Sequence, residues 1–203
     1  MPQMMHFQSA FAPPDVHDMF YSIMDRNAGL DGRLFLAALP DAETASRIFK
    51  LASVLKRAHG FSGKLIAPDR LHVSLFFLGG LRPDMECAAL ETAGEVRVPP
   101  FEVSFDRTAS FRGRPGSRPF VLMGGDGLGQ LKSFRKGLGA GLAREGFRRL
   151  ANASFEPHVT LLYDARRVEE YPLAEPIAWT INEIVLIRSQ NGHAHLAKWR
   201  LRA

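Results

Sequence analysis

Two stretches of this chain carry nearly the same message. Residues 70–77 read RLHVSLFF and residues 157–163 read PHVTLLY, so His-Val-(Ser/Thr)-Leu occurs twice, its histidines, His72 and His158, 86 positions apart. Each copy is an apolar run of strand length. In a strand, residues two apart share a face. His72, Ser74 and Phe76 are therefore expected on one side and Leu71, Val73, Leu75 and Phe77 on the other. In the second copy, His158, Thr160 and Leu162 oppose Val159, Leu161 and Tyr163. One face of each copy is wholly apolar and suits a core. The other presents an imidazole and a hydroxyl, which want polar partners or a cleft. A chain that writes such a strand twice is expected to fold as two related halves, each with one copy near its middle.

The intervening sequence fits that frame. RLFLAAL (33–39) reads as a buried strand, and PDAETASRIFKLASVLKRAHG (40–60) as a helix with Ile48, Leu51 and Leu55 on one face and Gly60 past its end. A second helix is expected over 84–96, strands at 101–111 and 119–125, and a third helix over 128–146. The sequence after the second His motif, WTINEIVLIRSQ and HLAKWRLR, reads as two strands joined by a turn at Asn191-Gly192. Strand pairs with short connections are mixed among the helices, which predicts an α+β fold with largely antiparallel sheets. Residues 1–32 stand apart as an N-terminal extension with a helix over 15–27, and 33–203 are expected to form a single bilobal domain.

The 26 Lys+Arg against 21 Asp+Glu leave a net charge of +5, which favours polyanionic partners without proving them. The one cysteine, Cys87, excludes an internal disulfide and lies in a helical pattern, where it reads as a small apolar residue. The N-terminus resembles neither a signal peptide nor an anchor, and the Asn152-Ala153-Ser154 acceptor pattern reads as chance without a secretory segment. A cytoplasmic, membrane-free protein is expected, with a monomer favoured.

A lone strand histidine is commonly a core residue bonded to a carbonyl. Seven histidines in 203 residues do not by chance produce two such motifs in matching settings, each with a hydroxyl two positions on. Across a cleft, one imidazole can be neutral and accept a proton while the other is charged and donates one. The hydroxyls can bond phosphate oxygens. This is equipment for opening a cyclic phosphodiester, in a scheme that requires no metal.

His-x-Ser and His-x-Thr on two strands at this separation resemble the two-histidine (2H) phosphoesterases, and within them the LigT-like RNA 2′,3′-cyclic phosphodiesterases, also called 2′–5′ RNA ligases. The resemblance runs from Arg33 onward: RLFLAALP, RLHVSLFFLGG, ASFRGRPGSRPFVLMGG and FEPHVTLLYD each match a family segment. It implies a bilobal LigT-like fold with a central cleft and helices outside. It also implies His72 and His158 as the acid–base pair, Ser74 and Thr160 as phosphate ligands, and no cofactor. His72 would be the general acid and His158 the base, although either can take either role depending on which ribose oxygen leaves. The expected partners are RNA ends or nucleotides bearing a cyclic phosphate, with reversible 2′–5′ ligation a secondary activity. The alternatives are hydrolysis of a small cyclic phosphate such as ADP-ribose 1″,2″-cyclic phosphate, and a non-catalytic module that binds RNA ends. Ser74 stands where threonine is commoner. Where RNA-processing members often carry an arginine after the second motif, this chain has LLYDARR, so Arg166 or Arg167 would have to supply that charge. The first 32 residues have no counterpart.

Three other features complete the candidates. The loop RGRPGSR offers Arg112, Arg114 and Arg118 beside Phe111, cations for phosphates and a ring for a base, or equally a solvated hairpin. GGDGLGQ (124–130) has a phosphate loop's position but not its spacing and reads as a tight turn. His193 and His195 share a strand face, but no neighbouring acids or cysteine complete a metal set, so no metal site is expected.

Overall fold

The computed structural model describes residues 33–78, 83–114, 116–146, 154–189 and 192–203; the expected N-terminal extension and its helix lie outside them. The order of elements is β1 (Arg33–Ala38), α1 (Ala42–His59), β2 (Val73–Phe77), α2 (Pro83–Glu95), β3 (Phe101–Ser110), β4 (Arg118–Met123), α3 (Gly129–Arg144), β5 (His158–Asp164), β6 (Tyr171–Ile181), β7 (Glu183–Ser189) and β8 (His193–Arg200). Helix α1 begins where the Asp41 side chain accepts the Thr44 N–H at 2.8 Å and ends where Gly60 turns left-handed at φ 63°. No described helix is long and apolar enough to cross a membrane.

The eight strands form one sheet in the order β6-β3-β4-β5-β2-β1-β7-β8, and every neighbouring pair is antiparallel. The sequence repeat is visible in this order. β1-α1-β2 and β4-α3-β5 are equivalent units; β7 and β8 extend the first beyond β1, while β3 and β6 extend the second beyond β4. The two halves meet edge to edge along β2 and β5, at the pair Val73 and Val159, both fully buried. The α+β, antiparallel, two-half architecture is therefore as expected.

The expected alternation of faces is wrong beyond the hydroxyl in both copies, for one physical reason. Opposite β1, the register passes from Ala37–Ser74 to Leu36–Phe76, skipping Leu75; opposite β4, it passes from Val121–Thr160 to Phe120–Leu162, skipping Leu161. Each motif thus contains a β-bulge one residue after its hydroxyl, and a bulge exchanges the faces of everything that follows. Phe76 (3% exposed) and Leu162 (0%) go to the core, while Phe77 (53%) and Tyr163 (49%) turn out with the histidines. A bulge takes its carbonyl out of the ladder, and both are caught elsewhere. Leu75 O accepts from Arg135 Nε of α3 at 3.4 Å, and Leu161 O from the Ile66 N–H at 2.8 Å. The Arg135 guanidinium lies over the Phe76 and Phe155 rings, 4.3 and 4.9 Å from their centroids.

The C-terminal strands also differ from expectation. WTINEIVLIRSQ is not one strand: β6 ends at Ile181, Asn182 interrupts, and β7 begins at Glu183. β6 starts ten residues before Ile181, through Pro172 and Pro176, which the sequence pattern does not read as a strand. It lies at the edge of the sheet, where a residue without an N–H breaks no ladder.

Beyond its bulge, β5 is gripped by the segment that follows α1. Asp164 Oδ2 accepts from the N–H groups of Ser62 and Gly63, both at 2.7 Å, and from the Ser62 hydroxyl at 3.1 Å; Oδ1 accepts the Arg166 N–H at 2.8 Å. A Cβ on Gly63 would meet the Tyr163 carbonyl oxygen at 1.9 Å, so only glycine allows this approach. The donors, the Arg166 N–H foremost, pull the Asp164 carboxyl from 3.8 down to about 2 against the opposing effect of burial. A depressed folded-state pKa makes the carboxylate's stabilising contribution complete above the ordinary value and fading as pH falls through the lower one. Asp164→Asn should therefore lower stability at neutral pH by roughly 1–3 kcal/mol in urea unfolding. The gap to wild type should shrink as pH is taken from about 4 toward about 2; a gap constant across that range would show that the carboxylate charge is not what holds the loop.

Candidate active site

The pairing of Val73 with Val159 fixes the arrangement of the four motif residues. Continuing that antiparallel register by one residue each way sets His72 across from Thr160 and Ser74 across from His158. The four side chains form a rectangle on one face, each imidazole beside the other half's hydroxyl. The two histidines stand on its diagonal, where cross-strand neighbours are typically about 7–8 Å apart. That spacing leaves room for one tetrahedral group between the rings. All four line a single pocket of about 350 Å³, a volume typical of small-ligand sites.

The same local device orients both rings. His72 Nδ1 lies 2.8 Å from the carbonyl of Arg70, and His158 Nδ1 lies 2.7 Å from the carbonyl of Glu156, in each case the residue two before the histidine. A short 3-10 turn over Pro68–Arg70 presents the first carbonyl, and Pro157 holds Glu156 extended to present the second. A carbonyl only accepts, so Nδ1 carries the hydrogen and Nε2 is left for the cleft. When neutral, each ring offers a lone pair; when protonated, it offers an acidic N–H. This is how a general acid–base pair has to be presented.

The surroundings of the two rings differ. His72 packs against Phe35 (centroids 4.9 Å) and edge-on against His193 (5.1 Å), whereas His158 meets Phe111 edge-on at 4.9 Å. Burial is the main cause that lowers the His72 pKa; the Arg70 carbonyl opposes it, and the positive neighbours His158 and Arg70 add to it. His193 is pushed down to about 4, by burial first and then by His72 and Arg70.

Of the other candidates, Phe111 touches the site through the His158 ring without lining the pocket. Arg112 and Arg114 are exposed in the β3–β4 loop and are not part of the pocket lining. Arg118 donates through Nη1 to the Ala165 carbonyl at 2.5 Å. The Arg166 N–H serves Asp164, and its guanidinium lies near Gly60; Arg167 is exposed. None of these three lines the pocket, whose arginine is Arg70. The GGDGLGQ stretch is a short turn at Asp126–Leu128 leading into α3, and Cys87 is half-buried. Arg70, Ser189, His193 and Tyr163 line the pocket without having been singled out as substrate-binding residues. Arg70 comes to the pocket from the turn before β2, a placement that strand alternation does not supply.

Known proteins resemble this chain in sequence and in fold. Residues 40–193 match the 2′-5′ RNA ligase superfamily. An RNA 2′,3′-cyclic phosphodiesterase of Archaeoglobus fulgidus is 33% identical over 130 residues, covering 64% of this chain and 70% of the relative. One of Escherichia coli is 34% identical over 116 residues, 55% of this chain and 61% of that relative. The crystal structure of E. coli LigT complexed with 3′-AMP superposes with a TM-score of 0.63 at 27% identity, covering 85% of this chain and 98% of LigT. With its paired histidine–hydroxyl strands and a family match across three quarters of its length, the chain belongs to the 2′-5′ RNA ligase superfamily of two-histidine phosphoesterases.

Proposed function

We propose that this protein is a phosphodiesterase that opens 2′,3′-cyclic phosphates on RNA ends or nucleotides and leaves 2′-phosphates. The observation that carries the reading is the rectangle of two imidazoles and two hydroxyls across the β2–β5 junction, with both Nε2 atoms left for one pocket. With the cyclic phosphate between the rings, neutral His158 accepts a proton from water as the water oxygen bonds to phosphorus. The bond from phosphorus to the 3′ oxygen breaks, and protonated His72 delivers its proton to that oxygen. Ser74 and Thr160 donate hydrogen bonds to the non-bridging oxygens, whose charge rises in the transition state. One turnover exchanges the protonation states of the two rings, and solvent restores them. Phe77 and Tyr163, exposed beside the histidines, offer ring faces to the base or ribose.

Hydrolysis of nucleoside 2′,3′-cyclic phosphates in the presence of a chelator is the direct test. His72→Ala and His158→Ala should each lose roughly 10²–10⁴-fold in kcat/KM. Full activity in both variants, or binding without turnover in the wild type, would overturn the reading.

The pH profile tests the ionisation of the histidine pair. The lowered pKa of His72 means that the free protein loses this proton below the ordinary histidine value, whereas a bound phosphate anion favours the charged ring and raises it. The alkaline limb of kcat/KM, which reports the free enzyme, should therefore lie at lower pH than the alkaline limb of kcat. Coincident limbs would show that the bound phosphate does not shift the ionisation of the histidine pair.

A further inference from the structure

The half of the pocket beyond His72 contains polar groups that the two-histidine chemistry does not use. Ser189 ends β7 and pairs in register with His193, the first residue of β8; Arg70 reaches the same wall from the turn before β2, and all three line the pocket. The His193 ring stands edge-on to His72 at 5.1 Å and to Phe35 at 5.6 Å.

Packing does not demand an imidazole here. The equivalent position against His158 is filled by the Phe111 ring, in the same edge-on geometry at 4.9 Å. His193 also differs from the catalytic pair in its protonation. Its Nδ1 is buried and has no hydrogen-bond partner among the described residues, where a bare lone pair is tolerated better than an unmet N–H. The hydrogen therefore sits on Nε2, so the neutral ring is a donor where neutral His72 and His158 are acceptors. Arg70 adds a fixed positive charge and Ser189 a hydroxyl, with Asp69 the nearby negative group acting on His193. A donor imidazole, a guanidinium and a hydroxyl on one wall form a set suited to phosphate oxygens.

We propose that Arg70, Ser189 and His193 form a second phosphate subsite, which holds a phosphate one ribose away from the cyclic phosphate between His72 and His158. The proposal rests on the phosphodiesterase reading for its first phosphate and names the substrate class more narrowly. An RNA 3′ end carries such a group as the phosphodiester on the 5′ side of its terminal ribose. ADP-ribose 1″,2″-cyclic phosphate carries one as its diphosphate. A nucleoside 2′,3′-cyclic phosphate has none.

The test is calorimetric binding of reaction products, so it does not depend on turnover. The ligands are a nucleoside 2′-phosphate, a dinucleotide ending in a 2′-phosphate, and the ring-opened product of ADP-ribose 1″,2″-cyclic phosphate. Wild type should bind at least one of the extended ligands roughly tenfold tighter than the mononucleotide, the scale of one charge-assisted phosphate contact. Whichever is preferred identifies the source of the second phosphate. Arg70→Ala leaves the backbone carbonyl that orients His72, and His193→Phe keeps a ring in place as Phe111 does. Each should reduce the preference to within about twofold. Equal affinities in the wild type, or a preference that survives both variants, would overturn the subsite. In nitrogen-15 spectra above the titration range, His193 should show the Nε2-protonated pattern and His72 and His158 the Nδ1-protonated one; an Nδ1-protonated His193 would also overturn it. If no cyclic phosphate is turned over, the phosphodiesterase reading fails, while these binding measurements still decide the subsite.

Discussion

The contact on which everything else depends is the join between β2 and β5. It is narrow, with Val73 facing Val159 and no side chain larger than valine at the centre, yet it places four reactive groups at once. Because the pairing is antiparallel, it sets unlike residues opposite each other, an imidazole against a hydroxyl on both sides. A parallel pairing would have set His72 beside His158 and Ser74 beside Thr160, with both bases at one end. Burial of both valines removes the freedom to slip, since a shift of one residue would turn the histidine of one strand into the core.

Such a narrow join needs support, which comes from the loops and helices of each half crossing to the other. Arg135 of α3, in the second half, reaches the bulge carbonyl of Leu75 in the first. The segment after α1, in the first half, supplies the Ile66 N–H to the bulge carbonyl of Leu161 and the Ser62 and Gly63 N–H groups to Asp164 in the second. The bulges therefore do two jobs. They free a carbonyl for the opposite half to bind, and they rotate Phe77 and Tyr163 out of the core to stand beside the histidines.

Much of this was legible in the sequence because it depends on residue type. The repeated His-Val-(Ser/Thr)-Leu specified two strands, their apolar faces up to the hydroxyl, and an imidazole and a hydroxyl sharing the other face of each. The capping of α1 by Asp41 and Gly60 was equally local. What could not be read was set by the register between strands. Nothing in Leu75 or Leu161 announces a bulge, and an unbroken alternation sent Phe77 and Tyr163 to the wrong side. Pro172 and Pro176 conceal β6 because their tolerance depends on its place at the sheet edge, which only the topology supplies. His193 was considered beside His195 as a metal pair, when its relevant neighbour is His72, brought to it by β1 and β7. The arginine-rich loop attracted attention by composition, while the lone Arg70 holds the position in the pocket.

The bulges, carbonyl anchors and crossed rectangle are related by an approximate two-fold axis through the Val73–Val159 pair. A rectangle with that symmetry can be built from one strand used twice. A chain of half the length that paired with its own copy would present two imidazoles and two hydroxyls in the same crossed pattern, across an interface that is isologous by construction. Such a symmetric site could not tell one end of a substrate from the other. Joining the halves in one chain lets each be changed separately, and the surroundings of the two rings show the result: phenylalanine beside one, a third histidine beside the other. Direction in this cleft is a property that the second copy acquires by ceasing to match the first.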